Sequence, residues 1–361
     1  MAFIEINKSS IIHNLRFLHN FCNKRKIQLC AVTKCCCSEE EIISLIYDSG
    51  INEIADSNQE NFKRLPVGLA GNLRKSVIKT RLTDIQLIPS LPASARPQRV
   101  FISDEIMLKA LAGISPDICP GIMLITEVGD FRDGFYPQQL SSICRKYSDL
   151  PIIGIAANYA CLSGKMPGIS DAHLLSQSAS EMITRDGALP LVSLGGTVAY
   201  PLFNSDGFRV GGHNSDDKCA WELRIGEGIF LGCNPATGIN IPGFKPDAFT
   251  FFGEILEIRE KEYSESENKG YNALGEKGAA FKSGKRLNMV LDFGVLAAPA
   301  KTLCPLDISA EIVGQTYDFT VVDITESSQK YKAGQHIGFT PSYGALSHAM
   351  LNNYVNKVYK K

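Results

Sequence analysis

The chain has 361 residues, 44% of them hydrophobic, and a formal net charge of −1. It is long enough for a large core and about two domains, and with no basic excess it offers no charge-driven surface for nucleic acid or a membrane. The opening Met1-Ala2-Phe3-Ile4-Glu5-Ile6 lacks the charged and long apolar regions of a secretory leader, and no apolar run approaches the roughly 18 residues of a membrane span. The 11 cysteines are scattered, odd in number and contiguous at Cys35, Cys36 and Cys37. That is a poor disulfide framework, and a reducing cytoplasm fits best. There is no Cys-x-x-Cys or His-x-x-x-His pair, so no metal site is expected.

In chain order, residues 2–6 read as a lone strand. Ile11, Leu15, Leu18 and Cys22 then recur at helical spacing. Ile27-Gln28-Leu29-Cys30-Ala31-Val32-Thr33-Lys34 is a short apolar strand ending in a lysine. Behind it Ser38 and Glu41 have the spacing of a capping box, with Ile42, Ile43, Leu45 and Ile46 as the apolar face of the helix that follows. Strand-like runs continue to alternate with helical ones, ending near Lys34, Ala55, Pro89, Ser103, Thr126, Ala157, Leu194 and Arg224. Residues 68–80, polar and glycine-containing, read only weakly as a helix. Eight such units are what a (β/α)₈ barrel requires. From residue 249 the pattern changes to alternation, with strands expected at 249–258, 287–293, 310–313, 319–324 and 335–339. A polar loop is expected over 259–285 and a short helical turn over 345–351. The fold class is therefore α/β: an N-terminal (β/α)₈ TIM-type barrel over residues 7–234, then a mainly-β domain over 235–361 that also takes in residues 1–6.

In such barrels chemistry is done where the strands end. The predicted ends carry Lys34, Asp56 and Ser57, Ser103, Asp130 and Arg132, Asn158, Gly195-Gly196-Thr197, and Arg224 with Gly226. A lysine in a dry mouth can be made nucleophilic and form a Schiff base, although it reads equally well as an exposed loop lysine. Ser193-Leu194-Gly195-Gly196-Thr197 and Arg224-Ile225-Gly226-Glu227-Gly228 follow strands seven and eight, where barrels commonly bind phosphate through backbone N–H groups. A phosphate cradle opposite a lysine points to pyridoxal 5′-phosphate. Arg132 also reads as a surface arginine, and Arg224 as an ion-pair partner of Glu222 or Glu227.

These residues resemble a known family. Ala31-Val32-Thr33-Lys34, Asn158-Tyr159-Ala160-Cys161-Leu162-Ser163-Gly164 and Glu222-Leu223-Arg224-Ile225-Gly226-Glu227 are similar to the ornithine racemase group of the alanine racemase superfamily, whose members are fold type III pyridoxal phosphate enzymes. Asp56-Ser57, Asp130-Phe131-Arg132-Asp133-Gly134 and Tyr343-Gly344-Ala345-Leu346 fit as well, in the family's order over nearly the whole chain. The resemblance implies an amino-acid racemase that removes and returns the α-proton, with ornithine or another basic amino acid favoured, working as a head-to-tail homodimer. It assigns Lys34 to the cofactor linkage, Arg224 to the pyridine nitrogen, and Arg132 to the ring hydroxyl. Asn158 takes a place beside Arg224 that a histidine holds in alanine racemase. Ser193, Gly195, Gly196, Thr197, Gly226 and Glu227 fall in the phosphate-binding turns. Tyr343 matches a tyrosine at the active-site entrance, carried in from the partner subunit. Leu291-Asp292-Phe293-Gly294-Val295-Leu296-Ala297 stands where alanine racemase carries its second-base tyrosine and contains none, which leaves Cys37 and Tyr343 as candidates for the second acid/base. A non-catalytic pyridoxal phosphate carrier and a lyase or aldolase of the same fold are the rival readings. The β domain argues against the first, and the lack of metal-ligand pairs against the second.

Overall fold

A computed structural model describes every residue except 183–187, 206, 209, 211–217, 265–269, 278–282 and 361. It divides into two compact units, one of Ile11–Lys245 and one of Met1–Ser10 with Pro246–Lys361. Strand β1 (Phe3–Asn7) leads into helix α1 (Lys8–Lys24), whose Ile11, Leu15, Leu18 and Cys22 are buried at the predicted spacing.

Eight parallel strands then close into a barrel: β2 (Gln28–Val32), β3 (Glu53–Asp56), β4 (Arg74–Val77), β5 (Arg99–Ile102), β6 (Gly121–Ile125), β7 (Ile152–Asn158), β8 (Leu191–Gly195) and β9 (Ala220–Ile225), with β9 pairing back onto β2. Helices alternate with them: α2 (Glu40–Asp48), α3 (Val67–Ala70), α4 (Leu82–Leu87), α5 (Glu105–Leu111), α6 (Pro137–Lys146), α7 (Ile169–Ser180), α8 (Tyr200–Asn204) and α9 (Glu227–Leu231). Parallel strands are covered on both faces, and β3, β5 and β8 are buried along their whole length. Phe101, Met123, Ile125, Ala156 and Leu191 form one apolar cluster.

Two expectations need correction. The run expected to end near Pro89 is not the third barrel strand, because residues Leu82–Leu87 are helical and Ile88–Ser90 form a 3₁₀ turn. The strand is β4, inside the stretch read weakly as a helix. Its polar residues have partners: Lys75 Nζ donates to the carbonyls of Ala70 (2.7 Å) and Leu73 (2.9 Å), and Ser76 Oγ accepts from Arg99 Nε (2.9 Å). Internal pairing replaces the apolar signature that a barrel strand ordinarily shows. The second correction concerns the capping box. Helix α2 starts at Glu40 behind Glu39, whose side chain makes no cap hydrogen bond. Cys37 (φ 53°) and Ser38 (φ 56°) are left-handed, so the chain reverses after Lys34 and Ser38 lies outside the capping position.

A small hairpin, β10 (Cys233–Asn234) with β11 (Ile239–Asn240), follows the barrel. In the second unit β12 (Phe249–Tyr263), β13 (Gly284–Leu291), β14 (Leu303–Pro305), β15 (Glu311–Gln315), β16 (Thr320–Asp323) and β17 (His336–Pro341) form an antiparallel sheet in the order β14-β17-β12-β13-β16-β15. Strand β1 joins β12 antiparallel and pairs in parallel with β18 (Asn356–Lys360). Phe293 stacks edge-on against Phe251 and Phe339, at centroid distances of 4.9 and 5.7 Å. Helix α10 (Tyr343–Leu351) is longer than the expected turn, because Ser342 Oγ caps it by accepting from Ala345 N. Strand β12 likewise runs to Tyr263, past the expected start of the polar loop. Strands β14 and β18 are short and were not anticipated.

Asn14 ties α1 into the barrel unit. Its side chain is fully buried. Nδ2 donates to the carbonyls of Ile229 and Lys245 (both 2.9 Å), and Oδ1 accepts from Lys245 N (2.7 Å). Replacing it with Ala leaves those three main-chain groups unsatisfied, and buried polar groups without partners cost about 1–3 kcal/mol each. Asn14→Ala should therefore lower the free energy of unfolding in urea by about 3 kcal/mol, whereas a loss under about 0.5 kcal/mol would show that water replaces all three bonds.

Candidate active site

The site is built on a row of three residues in register across neighbouring strands. Asn158 on β7 pairs with Gly195 on β8, and Gly195 pairs with Arg224 on β9. Successive side chains of a strand point to opposite faces, so the three share one face. Across Gly195 the Arg224 guanidinium reaches the Asn158 amide, with Nη2 donating to Oδ1 at 3.3 Å and to the carbonyl of Ala157 at 3.2 Å. A Cβ on Gly195 would lie 2.3 Å from Asn158 Oδ1 and 2.7 Å from Arg224 Nη2. Glycine is required there by contact.

Arg224 is buried and sits over the Phe101 ring, 4.6 Å from its centroid. Its Nε donates to Ser193 Oγ (2.8 Å), and Ser193 in turn donates to Glu222 Oε1 (2.6 Å). The other Glu222 oxygen pairs with Arg99 Nη1 at 2.7 Å. Arg99 Nη2 continues to Glu53 at 2.7 Å, and Arg74 reaches the second Glu53 oxygen at 2.9 Å. Charge therefore alternates through the barrel interior. Burial pushes the Arg224 guanidinium down to about 10, with Glu222 pulling the other way. It remains a cation at neutral pH. Burial also lowers Arg99, but Glu222 and Glu53 help to more than offset it and the net shift is upward. Both Ser193 Oγ contacts go to Arg224 and Glu222, so this hydroxyl lies behind the arginine.

Lys34 follows β2 by two residues and is exposed. Thr33 beside it is buried and donates to the Ala55 carbonyl (3.3 Å) and Asp56 Oδ2 (3.4 Å). The turn beyond is closed by cysteines. Cys36 Sγ donates to the Thr33 carbonyl at 3.1 Å and Cys37 Sγ to the Lys34 carbonyl at 3.7 Å. The hydrogen bond with Cys35, and then burial, push the Cys36 thiol well up. Glu227 opens α9 after Gly226. Burial pushes its carboxyl up to about 7, and the charge of Lys34 opposes that rise.

The two glycine turns are bonded to each other. Gly196, left-handed at φ 98°, donates from its N–H to the Arg224 carbonyl (3.0 Å), and Gly228 N donates to Thr197 Oγ1 (2.9 Å). Arg132 lies in the loop after β6, where its Nε donates to Asp133 Oδ1 at 2.7 Å. Lys34, Cys37, Arg132, Asn158, Ser193, Gly195, Gly196, Thr197, Arg224, Gly226 and Glu227 all belong to the barrel unit. Tyr343 is the half-buried first residue of α10 in the other unit. Sequence reasoning missed Arg99, Phe101, Ser76 and Glu53. The available signal was spacing: Arg99 and Phe101, like Glu222 and Arg224, stand two apart on a strand and so share a face.

No family model matches the chain. An ornithine racemase of Acetoanaerobium sticklandii is 27% identical, with 98% of this chain and 98% of that protein covered. A lysine racemase of Thermotoga maritima is 24% identical over 98% of this chain and 97% of its own length. Among solved structures, alanine racemase from Bartonella henselae with covalently bound pyridoxal phosphate superposes with a TM-score of 0.70 at 14% identity, covering 99% of each chain. Over nearly its whole length the chain is similar to these amino-acid racemases. The barrel followed by a mainly-β unit is the architecture it shares with the alanine racemases.

Glu227 makes the mouth of the barrel sensitive to pH. A half-buried carboxyl with a raised pKa binds its proton more tightly folded than unfolded. Its stabilising effect is complete below the unfolded value of 4.5 and is lost as pH rises through about 7. Glu227→Gln removes this dependence. The stability of the variant relative to the natural chain should rise between pH 4.5 and 7 and level off above. Equal urea midpoints for the two proteins across that range would contradict the assignment.

Proposed function

We propose that this racemase uses pyridoxal 5′-phosphate and acts on ornithine or another basic amino acid. The row Asn158–Gly195–Arg224 carries the reading. It presents a permanent cation and an amide side by side, because the glycine between them leaves room for the two side chains to meet. The near full-length similarity to an ornithine racemase and a lysine racemase supports the substrate class. The residues fit the cofactor: Lys34 would hold it covalently, Arg224 would face the ring nitrogen, and Arg132 and Asn158 would face the ring. The turns of Gly195, Gly196 and Thr197 and of Gly226 and Glu227 would hold the phosphate. When bound, this cofactor stabilises negative charge at a substrate α-carbon.

The chain's own groups do the rest. Arg224 donates a hydrogen bond and keeps its proton, because a guanidinium has no accepting atom, so its partner nitrogen stays neutral. That favours simple return of the α-proton over other fates. Lys34 Nζ would move the proton on one face. Tyr343 of a second copy is our first choice for the opposite face, in a head-to-tail homodimer with the barrel as the cofactor-binding unit. Cys37, with its thiol on the Lys34 carbonyl, is the alternative. No helix among the described residues is long and apolar enough to cross a membrane, and we place the enzyme in the cytoplasm.

Chiral chromatography of ornithine incubated with enzyme and pyridoxal phosphate tests this reading. Either enantiomer should approach the racemic mixture, and Lys34→Ala should lower kcat/KM at least about 1,000-fold, as removal of a covalent catalytic group does. Borohydride should fix the cofactor to Lys34 alone; a label on another lysine overturns the assignment. Inactive Lys34→Ala and Tyr343→Ala subunits should regain activity on mixing. Mixed dimers that form and stay inactive would remove Tyr343 from the site.

A further inference from the structure

A small pocket adjoins the row that holds Arg224. It is lined by Thr126, Glu127, Asp130, Arg132, Asp133 and Asn158, and Asn158 is the residue whose Oδ1 accepts from Arg224. Three of these six side chains are carboxylates and one is a guanidinium, so negative charge is in excess. The carboxylates are not equally occupied. Asp133 takes the Arg132 Nε donor, and Glu127 Oε1 accepts from the main-chain N–H groups of Gly129 and Phe131. Asp130 is 3% exposed. Its Oδ1 accepts three hydrogen bonds of 3.1 Å, from Leu162 N, Ser163 N and Ser163 Oγ. Its Oδ2 is buried and has no hydrogen-bond partner among the described residues, and Thr126 Oγ1 is in the same position.

A buried carboxylate oxygen without a donor is costly, and a cation or N–H group brought to it relieves that cost. The nearby Lys165 does not supply one. Its Nζ is committed to the Val128 carbonyl (2.5 Å) and Asp171 (2.8 Å). The bonds to Oδ1 outweigh burial and keep Asp130 below the usual carboxylate range, so it is ionised at neutral pH. The pocket thus holds an unshared, buried carboxylate oxygen that a small cation would satisfy, beside the row that holds Arg224.

We propose that Asp130, assisted by Thr126, receives the distal ammonium group of a basic amino-acid substrate and is a specificity-determining residue of this enzyme. The assignment rests on the racemase reading and adds to it the carboxylate that a diamino acid needs. It excludes the rival use of the pocket, in which Arg132 takes the substrate's α-carboxylate there and the side chain lies elsewhere.

The test compares ornithine with norvaline, the same carbon chain without the distal amine, on the cofactor-loaded enzyme. Binding is measured by calorimetry and turnover by chiral chromatography. The natural enzyme should prefer ornithine in both. Asp130→Asn keeps an oxygen for the three donors on Oδ1 and removes the charge. It should lower the ornithine-to-norvaline ratio of kcat/KM about 100-fold, the scale expected when one partner of a buried charge pair is neutralised. Thr126→Val should lower the ratio less, in the same direction. An Asp130→Asn enzyme that loses both substrates in proportion overturns the proposal and makes Asp130 a loop-positioning residue. If that variant does not fold, the natural enzyme still decides: equal binding and turnover of the two amino acids overturns the proposal and leaves the racemase reading standing. Failure to racemise either one removes the racemase reading, and this assignment with it.

Discussion

Glu222 is the residue on which the barrel interior depends. It is fully buried and holds two buried arginines, Arg99 directly and Arg224 through Ser193. Taking these charges out of water costs several kcal/mol per ion, and an apolar interior of equal volume is often as stable or more so. Breaking such a set by removing one member costs about 3–5 kcal/mol, because a buried charge is left uncompensated. The network is therefore better understood as a frame than as a source of stability. Nε of Arg224 is held by Ser193 and Nη2 by Ala157 and Asn158, and Phe101 supports the face of its guanidinium. The side chain has one orientation. Were Glu222 neutral, burial would press Arg224 further down.

Around this frame the mouth of the barrel separates charge by sign. Lys34, Arg132 and Arg224 are its cations. Glu227 is poised near neutrality, and Asp130 keeps an unshared oxygen. The fixed cations and the acidic pocket meet at Asn158, which touches Arg224 and lines the pocket. One uncharged amide can do this because its oxygen accepts from the arginine while its other atoms carry no charge into the acidic side.

Much of this was legible in the sequence, and the illegible part has physical reasons. The ends of β2 before Lys34 and of β9 near Arg224 were placed within two residues because Leu29 to Val32 are apolar and Trp221, Leu223 and Ile225 alternate with the charged Glu222 and Arg224. The third barrel strand was missed because Arg74, Lys75 and Ser76 satisfy their polarity inside the barrel, a pairing that single-sequence periodicity cannot show. The capping box at Ser38 failed for a local reason: two left-handed residues turn the chain before the helix can start. The candidate cofactor residues came from a family resemblance. The residues behind them, Arg99, Ser193 in its bridging position and Glu222, needed the strand register. Asp130 stood out in the sequence as one more polar residue at a strand end, and only its unpaired buried oxygen distinguishes it.

A crystal structure of the enzyme with pyridoxal phosphate tests most directly the claim that the Glu222–Ser193–Arg224 frame is built to hold that cofactor. The account predicts continuous density from Lys34 Nζ into the cofactor, an Arg224 N–H within hydrogen-bond distance of the ring nitrogen, and Ser193 and Glu222 still bonded behind it. Density that leaves Lys34 unmodified, or that places the ring nitrogen against any group other than Arg224, would contradict it.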